Sequence, residues 1–120
     1  MLVIDDNSSD RYIYRRYFEM QKEVEFQVLE AGTAGEGLAA CAADSPDCIV
    51  LDYKLPDMDG LSALPRLRQM TPAPIVFITA RPEALTVTEA YRQGATRYLS
   101  KDFVSSRTLV ETVCEIVEER

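Results

Sequence analysis

Cys48-Ile49-Val50-Leu51-Asp52-Tyr53-Lys54-Leu55-Pro56, with Asp57, Asp59 and Gly60 just beyond it, is the stretch whose reading decides the fold. A short, almost wholly apolar run that ends in a turn marks a parallel strand buried on both faces, and this one discharges onto a carboxylate. Asp52 is therefore expected at a strand's C-terminal end, the edge where open α/β sheets form their ligand crevices. Two other segments share the layout: Met1-Leu2-Val3-Ile4 ends on Asp5-Asp6, and Ile75-Val76-Phe77-Ile78 ends on Thr79. A fourth, Arg97-Tyr98-Leu99-Ser100, delivers Lys101.

Helical patterns fill the intervals. Asn7 and Ser8 are good N-caps for a helix through about residue 21, carried by Ile13, Tyr14, Tyr17, Phe18 and Met20. Val24 to Leu29 alternates like an edge strand. Thr33-Ala34-Gly35-Glu36 matches a capping box and opens a second helix ending near Asp44-Ser45-Pro46. Beyond the loop 56–60, Leu61, Leu64, Leu67 and Arg68 continue as a third helix, which Pro65 should delay or bend because it lacks an amide donor. Thr71-Pro72-Ala73-Pro74 is a stiff connector. Pro82 to Gln93 forms a weak fourth helix, lowered in propensity by Thr86, Val87 and Thr88, with Gly94 placed as its C′ residue. Val110, Val113, Cys114 and Val117 lie on one face of a last helix, capped by Ser105 or Ser106. Strands alternating with helices, five of each, indicate a doubly wound parallel sheet with right-handed crossovers.

With 120 residues, 47% of them hydrophobic, the chain fits one compact domain with a core of its own, expected to span 1–120 and to be cut from a longer polypeptide. Its three cysteines, Cys41, Cys48 and Cys114, offer neither a disulfide framework nor C-x-x-C spacing, and read as reduced thiols of a cytosolic protein. No run is long enough to span a membrane and no signal peptide is visible, so a cytoplasmic location is expected. Twenty acidic residues against thirteen basic, a net charge of -7, oppose direct contact with nucleic acid phosphates. The chain has no histidine. That excludes histidine-dependent nucleophiles and histidine metal sites, and leaves the carboxylates to carry the chemistry.

A lone Asp after a strand is ordinarily a turn former or helix cap, and a lone Lys a solvated charge. Five polar groups gathered at strand C-termini are harder to obtain from turn preferences alone. Carboxylates about 4 Å apart repel by roughly 4 kcal/mol at an effective dielectric near 20, so three of them at one edge call for a cation. An open set of oxygen ligands suits Mg²⁺, which keeps waters and shares its shell with phosphate, with Mn²⁺ as a substitute. Asp5, Asp6 and Asp52 beside Thr79 and Lys101 thus point to phosphoryl transfer, in which Asp can itself be the nucleophile.

These residues resemble the receiver domain of two-component response regulators over essentially the whole chain: an acidic pair after the first strand, L-D-x-x-L-P-x-M-D-G after the third, Thr-Ala after the fourth, and G-A-x-x-Y-L-x-K around the fifth. The resemblance implies a flavodoxin-like three-layer sandwich with strand order 2-1-3-4-5. It implies that Asp52 is the phosphoacceptor, that Asp5, Asp6, Asp52 and the Lys54 carbonyl hold Mg²⁺, and that Thr79, Lys101 and the Ala80 amide hold phosphoryl oxygens. It further implies that Tyr98 is the aromatic that moves inward as Thr79 swings toward the phosphate. The implied donor is a sensor histidine kinase, a histidine phosphotransfer protein or a small phosphodonor such as acetyl phosphate. The resemblance also allows a homodimer. Such a domain catalyses its own phosphorylation and dephosphorylation, yet is primarily a switch, read out on the fourth helix, fifth strand and fifth helix.

One departure stands out. The family usually has Pro after the Lys, on a cis bond, whereas Asp102 follows Lys101 here. Either a trans bond with a reshaped loop or a retained cis bond is expected, and Asp102 is placed to compete for Lys101. Lys-Asp at this point resembles receivers attached to sensor kinases. Lys54 and Arg81 flank the entrance and are expected to affect phosphoryl lifetime. Three rivals remain: a receiver-shaped scaffold that takes no phosphate, a Mg²⁺-dependent phosphatase of the haloacid dehalogenase type, which wants D-x-D where Asp52 is followed by Tyr53-Lys54, and a flavodoxin-like electron carrier, whose phosphate loop Asp5-Asp6-Asn7 would repel.

Overall fold

Each apolar strand segment is flanked by helices because it has two faces to bury. The computed structural model describes residues 1–80 and 83–118. Within them, β1 (Leu2–Ile4), β2 (Leu29–Ala31), β3 (Ile49–Asp52), β4 (Ile75–Thr79) and β5 (Arg97–Ser100) alternate with α1 (Ser8–Glu19), α2 (Ala34–Ala43), α3 (Gly60–Met70), α4 (Ala84–Arg92) and α5 (Ser106–Glu118). The strands form one parallel sheet in the order β2-β1-β3-β4-β5.

Alternate strand residues serve different cores. Leu2, Ile4, Ile49, Leu51, Ile75 and Phe77 pack with Cys41 of α2, Leu64 and Leu67 of α3 and Ala90 of α4. Val3, Val50, Val76 and Ile78 face the other way, onto Tyr14 and Phe18 of α1 and Leu109, Val113 and Ile116 of α5. Both sets must be apolar, which is why the strands read as unbroken hydrophobic runs. Burying each large side chain is worth roughly 1.5–3 kcal/mol, enough to hold Ile4 opposite Leu51 and Leu51 opposite Phe77. A one-residue slip would exchange the two cores and turn Asp52 to the other face.

Local signals set the helix ends. The Asn7 side chain accepts from the Asp10 amide and starts α1. Thr33 caps α2 through the Glu36 amide at 3.0 Å, but Glu36 accepts from Gly32 at 2.9 Å, one residue upstream of its reciprocal capping-box partner. Ser105 caps α5 by accepting from the Thr108 amide at 3.1 Å. Gly94 takes φ +115°, the left-handed conformation expected of a C′ residue after α4. Among these helices α4 is the most weakly anchored: Ala90 is its one buried residue, and Glu83 at its N-cap makes no side-chain bond.

Two expectations are corrected. The alternating segment Val24–Leu29 is not the edge strand; β2 pairs only from Leu29 to Ala31, opposite Leu2 to Ile4. The alternation instead reflects packing, since Phe26 and Val28 turn onto the α1/α5 core and Phe26 meets Phe18 edge-on at 4.9 Å. Nor does Pro65 delay α3, which starts at Gly60 because Asp59 caps it through the Ser62 amide at 2.8 Å. Pro82, where the sequence pattern opens the fourth helix, lies outside the described residues, and so does Arg81. The Lys101–Asp102 bond is trans, and the loop there winds into a 3₁₀ turn over Lys101–Phe103.

Candidate functional site

The parallel sheet carries β1, β3, β4 and β5 to one edge, and a cleft of about 760 Å³ opens there, lined by Asp6, Asn7, Asp52, Lys54, Thr79, Ala80 and Lys101 among others. Asp52 is the last residue of β3 and 4% exposed, and Thr79 ends β4 buried. Asp5 follows β1 directly and is 1% exposed, whereas Asp6 stands in solvent. Carboxylate oxygens of Asp5, Asp6 and Asp52 all lie within 4.8 Å of one another.

Three carboxylates this close, two of them buried, repel one another by several kcal/mol in total at an effective dielectric near 20. The electrostatics register it. Burial first, and then the charge of Asp5, push the Asp52 carboxyl up to about 7, against the pull of Lys101. Burial likewise raises Asp5, opposed by the Asn7 amide, which donates at 2.9 Å, and by Lys101. This donor set, oxygen only and short of positive charge, fits a hard divalent cation with few protein ligands.

Lys101 supplies the ammonium. Its Nζ lies 3.0 Å from Asp10 Oδ2, 3.3 Å from Asp5 Oδ2 and 3.5 Å from Asp52 Oδ2. Desolvation works against its charge, but the bond to Asp10 and the fields of Asp52 and Asp5 outweigh it and raise its pKa. Asp102 is exposed, and the carboxylate nearest Lys101 is Asp10 instead.

Supporting residues build the loop between β3 and α3. The Gly60 amide donates to the Tyr53 carbonyl at 2.6 Å, and a Cβ on Gly60 would stand 2.7 Å from the Asp52 carbonyl oxygen and 2.9 Å from Phe77. Only glycine permits that approach. Asp57 turns away from the acidic cluster and accepts from the Ala34 and Gly35 amides at 2.9 and 2.8 Å, covering the open N-terminus of α2; these bonds, Gly35 first, lower its pKa. Arg11 donates to the Asp5 carbonyl at 2.7 Å and pairs with Glu30, tying α1 to the end of β1. Tyr98 is about one-third exposed and sits edge-on to Tyr91 at 6.3 Å, on the outer side of β5.

The structure thus brings Asp5, Asp6, Asp52, Lys54, Thr79, Ala80 and Lys101 to one edge, and leaves Tyr98 facing outward. Sequence reasoning passed over Asp10. Its signal was position: an acid three residues after the Asn7 cap, in the first turn of a helix that starts at the same edge.

An open sheet of this strand order, wound on both sides and with its polar residues at the carboxyl edge, is of the doubly wound flavodoxin-like class. The family model described as the response regulator receiver domain matches residues 1–113, and the chain belongs to that family. It is similar to the transcriptional regulatory protein SrrA of Staphylococcus aureus, 31% identical over 103 residues that cover 86% of this chain and 42% of that protein. The chain therefore spans about two fifths of the length of the curated relatives it matches. Among solved structures, a CheY-like receiver domain protein of Methanospirillum hungatei superposes with a TM-score of 0.91 at 28% identity, covering 98% of this chain and 92% of that one. The receiver domain of Francisella response regulator 1452 gives 0.88 at 27%, covering 98% and 95%. Membership in this family sets aside the phosphatase and flavin-carrier readings. No described helix is long and apolar enough to cross a membrane.

Proposed function

We propose that the chain is a phosphorylation switch whose Asp52 takes a phosphoryl group from a phosphohistidine on a partner kinase or phosphotransfer protein, or from a small acyl phosphate. The observation that carries this reading is a buried carboxylate, pushed up to about 7, within 3.5 Å of an ammonium and 4.8 Å of two further carboxylates at the floor of an open cleft. A divalent cation held by Asp5, Asp6, Asp52 and the Lys54 carbonyl would supply neutralisation of charge on the transferring group.

An Asp52 oxygen attacks phosphorus in line. The new P–O bond forms as the bond to the donor breaks, and its electron pair leaves with the imidazole nitrogen or acyl oxygen. Lys101 shares the negative charge of the moving group, and Thr79 with the Ala80 amide donates to its oxygens. Water later attacks the same phosphorus, which releases inorganic phosphate and restores the carboxylate. The phosphorylated form carries about two negative charges and strong acceptors, and Thr79 turns toward them. That movement vacates space beside β4 for Tyr98, which leaves Tyr91 and swings inward, changing the surface of α4, β5 and α5. Lys54, exposed at the cleft mouth, screens the phosphoryl group from water.

Incubation with acetyl phosphate and Mg²⁺, followed by intact-mass measurement, is expected to add one phosphoryl group to the parent and none to Asp52→Asn. Equal labelling of both, or none of either, overturns the reading.

A further inference from the structure

We infer that Asp10 is a positioning residue that holds the Lys101 ammonium back from the phosphoryl group, so that phosphoryl transfer to Asp52 begins with release of Lys101 from α1. This rests on the reading of Lys101 as the ammonium partner of the phosphoryl group.

The distances rank the partners of Lys101. Charge-assisted N–H···O bonds run about 2.7–2.9 Å at their strongest, and contacts near 3.5 Å are marginal. Asp10 at 3.0 Å is the nearest carboxylate and holds the ammonium as an ion pair, while the ammonium donates hydrogen bonds to Asp5 at 3.3 Å and, marginally, to Asp52 at 3.5 Å. Three carboxylates surround the ammonium within 3.5 Å, two as hydrogen-bond acceptors and Asp10 as an ion pair, so an arriving phosphoryl oxygen has to displace one of these contacts. Direction matters as much as length. Asp6, Asn7, Asp52, Thr79 and Ala80 line the cleft into which a donor must come, and Asp10 does not, so its charge draws the ammonium toward α1 and away from the transferring group.

Asp10 is free to do this because it is spared another duty. It stands three residues after the N-cap Asn7, where an acidic side chain ordinarily reaches back to the N-cap amide. Here Asp5 accepts from the Asn7 amide instead, at 2.9 Å, and the Asp10 carboxylate turns to Lys101. As a partly exposed pair, with side chains 24% and 27% accessible, the contact is strong enough to bias the ammonium and weak enough to be broken in each cycle.

The test compares the parent with Asp10→Asn, Asp10→Ser and Asp10→Glu, each also built on Lys101→Ala. In metal-free protein, the Lys101 side-chain nitrogen signal, read by NMR in ¹⁵N-lysine-labelled chain, should move in the neutral variants and stay near its parent position in Asp10→Glu. With acetyl phosphate and Mg²⁺, the initial rate of label entering Asp52 should rise about fivefold in Asp10→Asn and Asp10→Ser, the size expected for one partly exposed ion pair acting on a rate, and stay within about twofold of the parent in Asp10→Glu. On Lys101→Ala the same neutral changes should leave the rate unaltered. A purely structural role at the start of α1 would alter stability equally on both backgrounds and would not accelerate labelling. An unchanged or slower rate in both neutral variants overturns the inference while the phosphorylation reading stands, and so does a gain that persists without Lys101. A parent that takes no label removes both.

Discussion

The two edges of the sheet offer clefts of similar size and opposite character. At the carboxyl ends of the strands the cleft measures about 760 Å³; at the amino ends, another of about 690 Å³ is walled by Met1, Phe26, Val28, Cys48 and Val113. Acids border both, but Asp52 of the first is buried, whereas those of the second, Asp44 and Asp47 among them, stand in solvent. Among the described residues the one group of three convergent acids is Asp5, Asp6 and Asp52. Strand polarity accounts for the difference. Parallel strands bring all their carboxyl ends to one side, where α1, α2 and α3 begin and point their partial positive charge, and the other side receives helix C-termini and turns. Volume does not distinguish a site from a gap, whereas buried charge converging from several strands does.

The sharpest way to break this comparison is to remove one charge from each edge. Lys101→Ala should lower the rate of phosphoryl transfer from acetyl phosphate roughly 100-fold, the usual cost of losing one preorganised charge donor. Asp47→Asn, an acid of the opposite edge, should leave the rate where it was. Equal losses in the two variants, followed by intact mass over time, would show that the carboxyl edge holds no special place in the reaction.

A second, smaller effect separates the edges by pH. The Asp52 carboxyl is raised from 3.8 to about 7, first by burial and then by Asp5, so between about pH 4 and 7 the folded chain keeps a proton that the unfolded chain has released. Stability attributable to Asp52 is therefore fullest below pH 4, falls as pH rises through 7, and is level above it. The difference in urea-unfolding free energy between Asp52→Asn and the metal-free parent should grow by roughly 2–4 kcal/mol across that window, in favour of the variant at high pH. Mg²⁺ favours the charged carboxylate and should flatten the slope. A difference that stays constant with pH would mean that Asp52 is not held up by its surroundings.

Much of this was legible in the chain because both faces of the sheet are buried. Continuous runs such as Ile49–Leu51 and Ile75–Ile78 have one reading when two cores need filling, and the polar residue ending each run marks the same edge. At the sheet's margin the logic weakens. β2 has one neighbour, and Leu29 and Glu30 are exposed, so its hydrogen bonding left no apolar signature and the alternation upstream described packing on Phe18 instead. Asp59 likewise overrode the expected effect of Pro65 on the start of α3, since a cap acts on the first amides whatever follows. Asp10 was hidden for another reason. Its partner Lys101 lies 91 positions away, and the pair depends on the exact seating of α1 over the β5 loop, which periodicity does not encode.

Glycines provide the finest comparison of the two edges, because each supports one of them. Gly60 lies against Asp52 at the carboxyl edge, where an added Cβ meets backbone that cannot yield: the Asp52 carbonyl at 2.7 Å and the Tyr53 Cα at 2.9 Å. Gly94 ends α4 just before β5, at the other edge, with φ +115°, and there an added Cβ meets Cγ of Arg68 at 2.6 Å, on a side chain that donates to the Gly94, Thr71 and Ala73 carbonyls. Gly60→Ala must therefore displace the β3–α3 loop, at a cost of about 2 kcal/mol, and carry Asp52 with it. Gly94→Ala adds backbone strain, about 1 kcal/mol, and a further ~1 kcal/mol as Arg68 shifts and its hydrogen bonds loosen. The two variants should thus differ little in urea midpoint but clearly in function: Mg²⁺ titration followed by amide NMR should weaken several-fold in Gly60→Ala and match the parent in Gly94→Ala. Equal Mg²⁺ affinity in both would mean that the backbone under Asp52 tolerates displacement, and that the carboxylates converge through side-chain freedom rather than through the fixed end of β3.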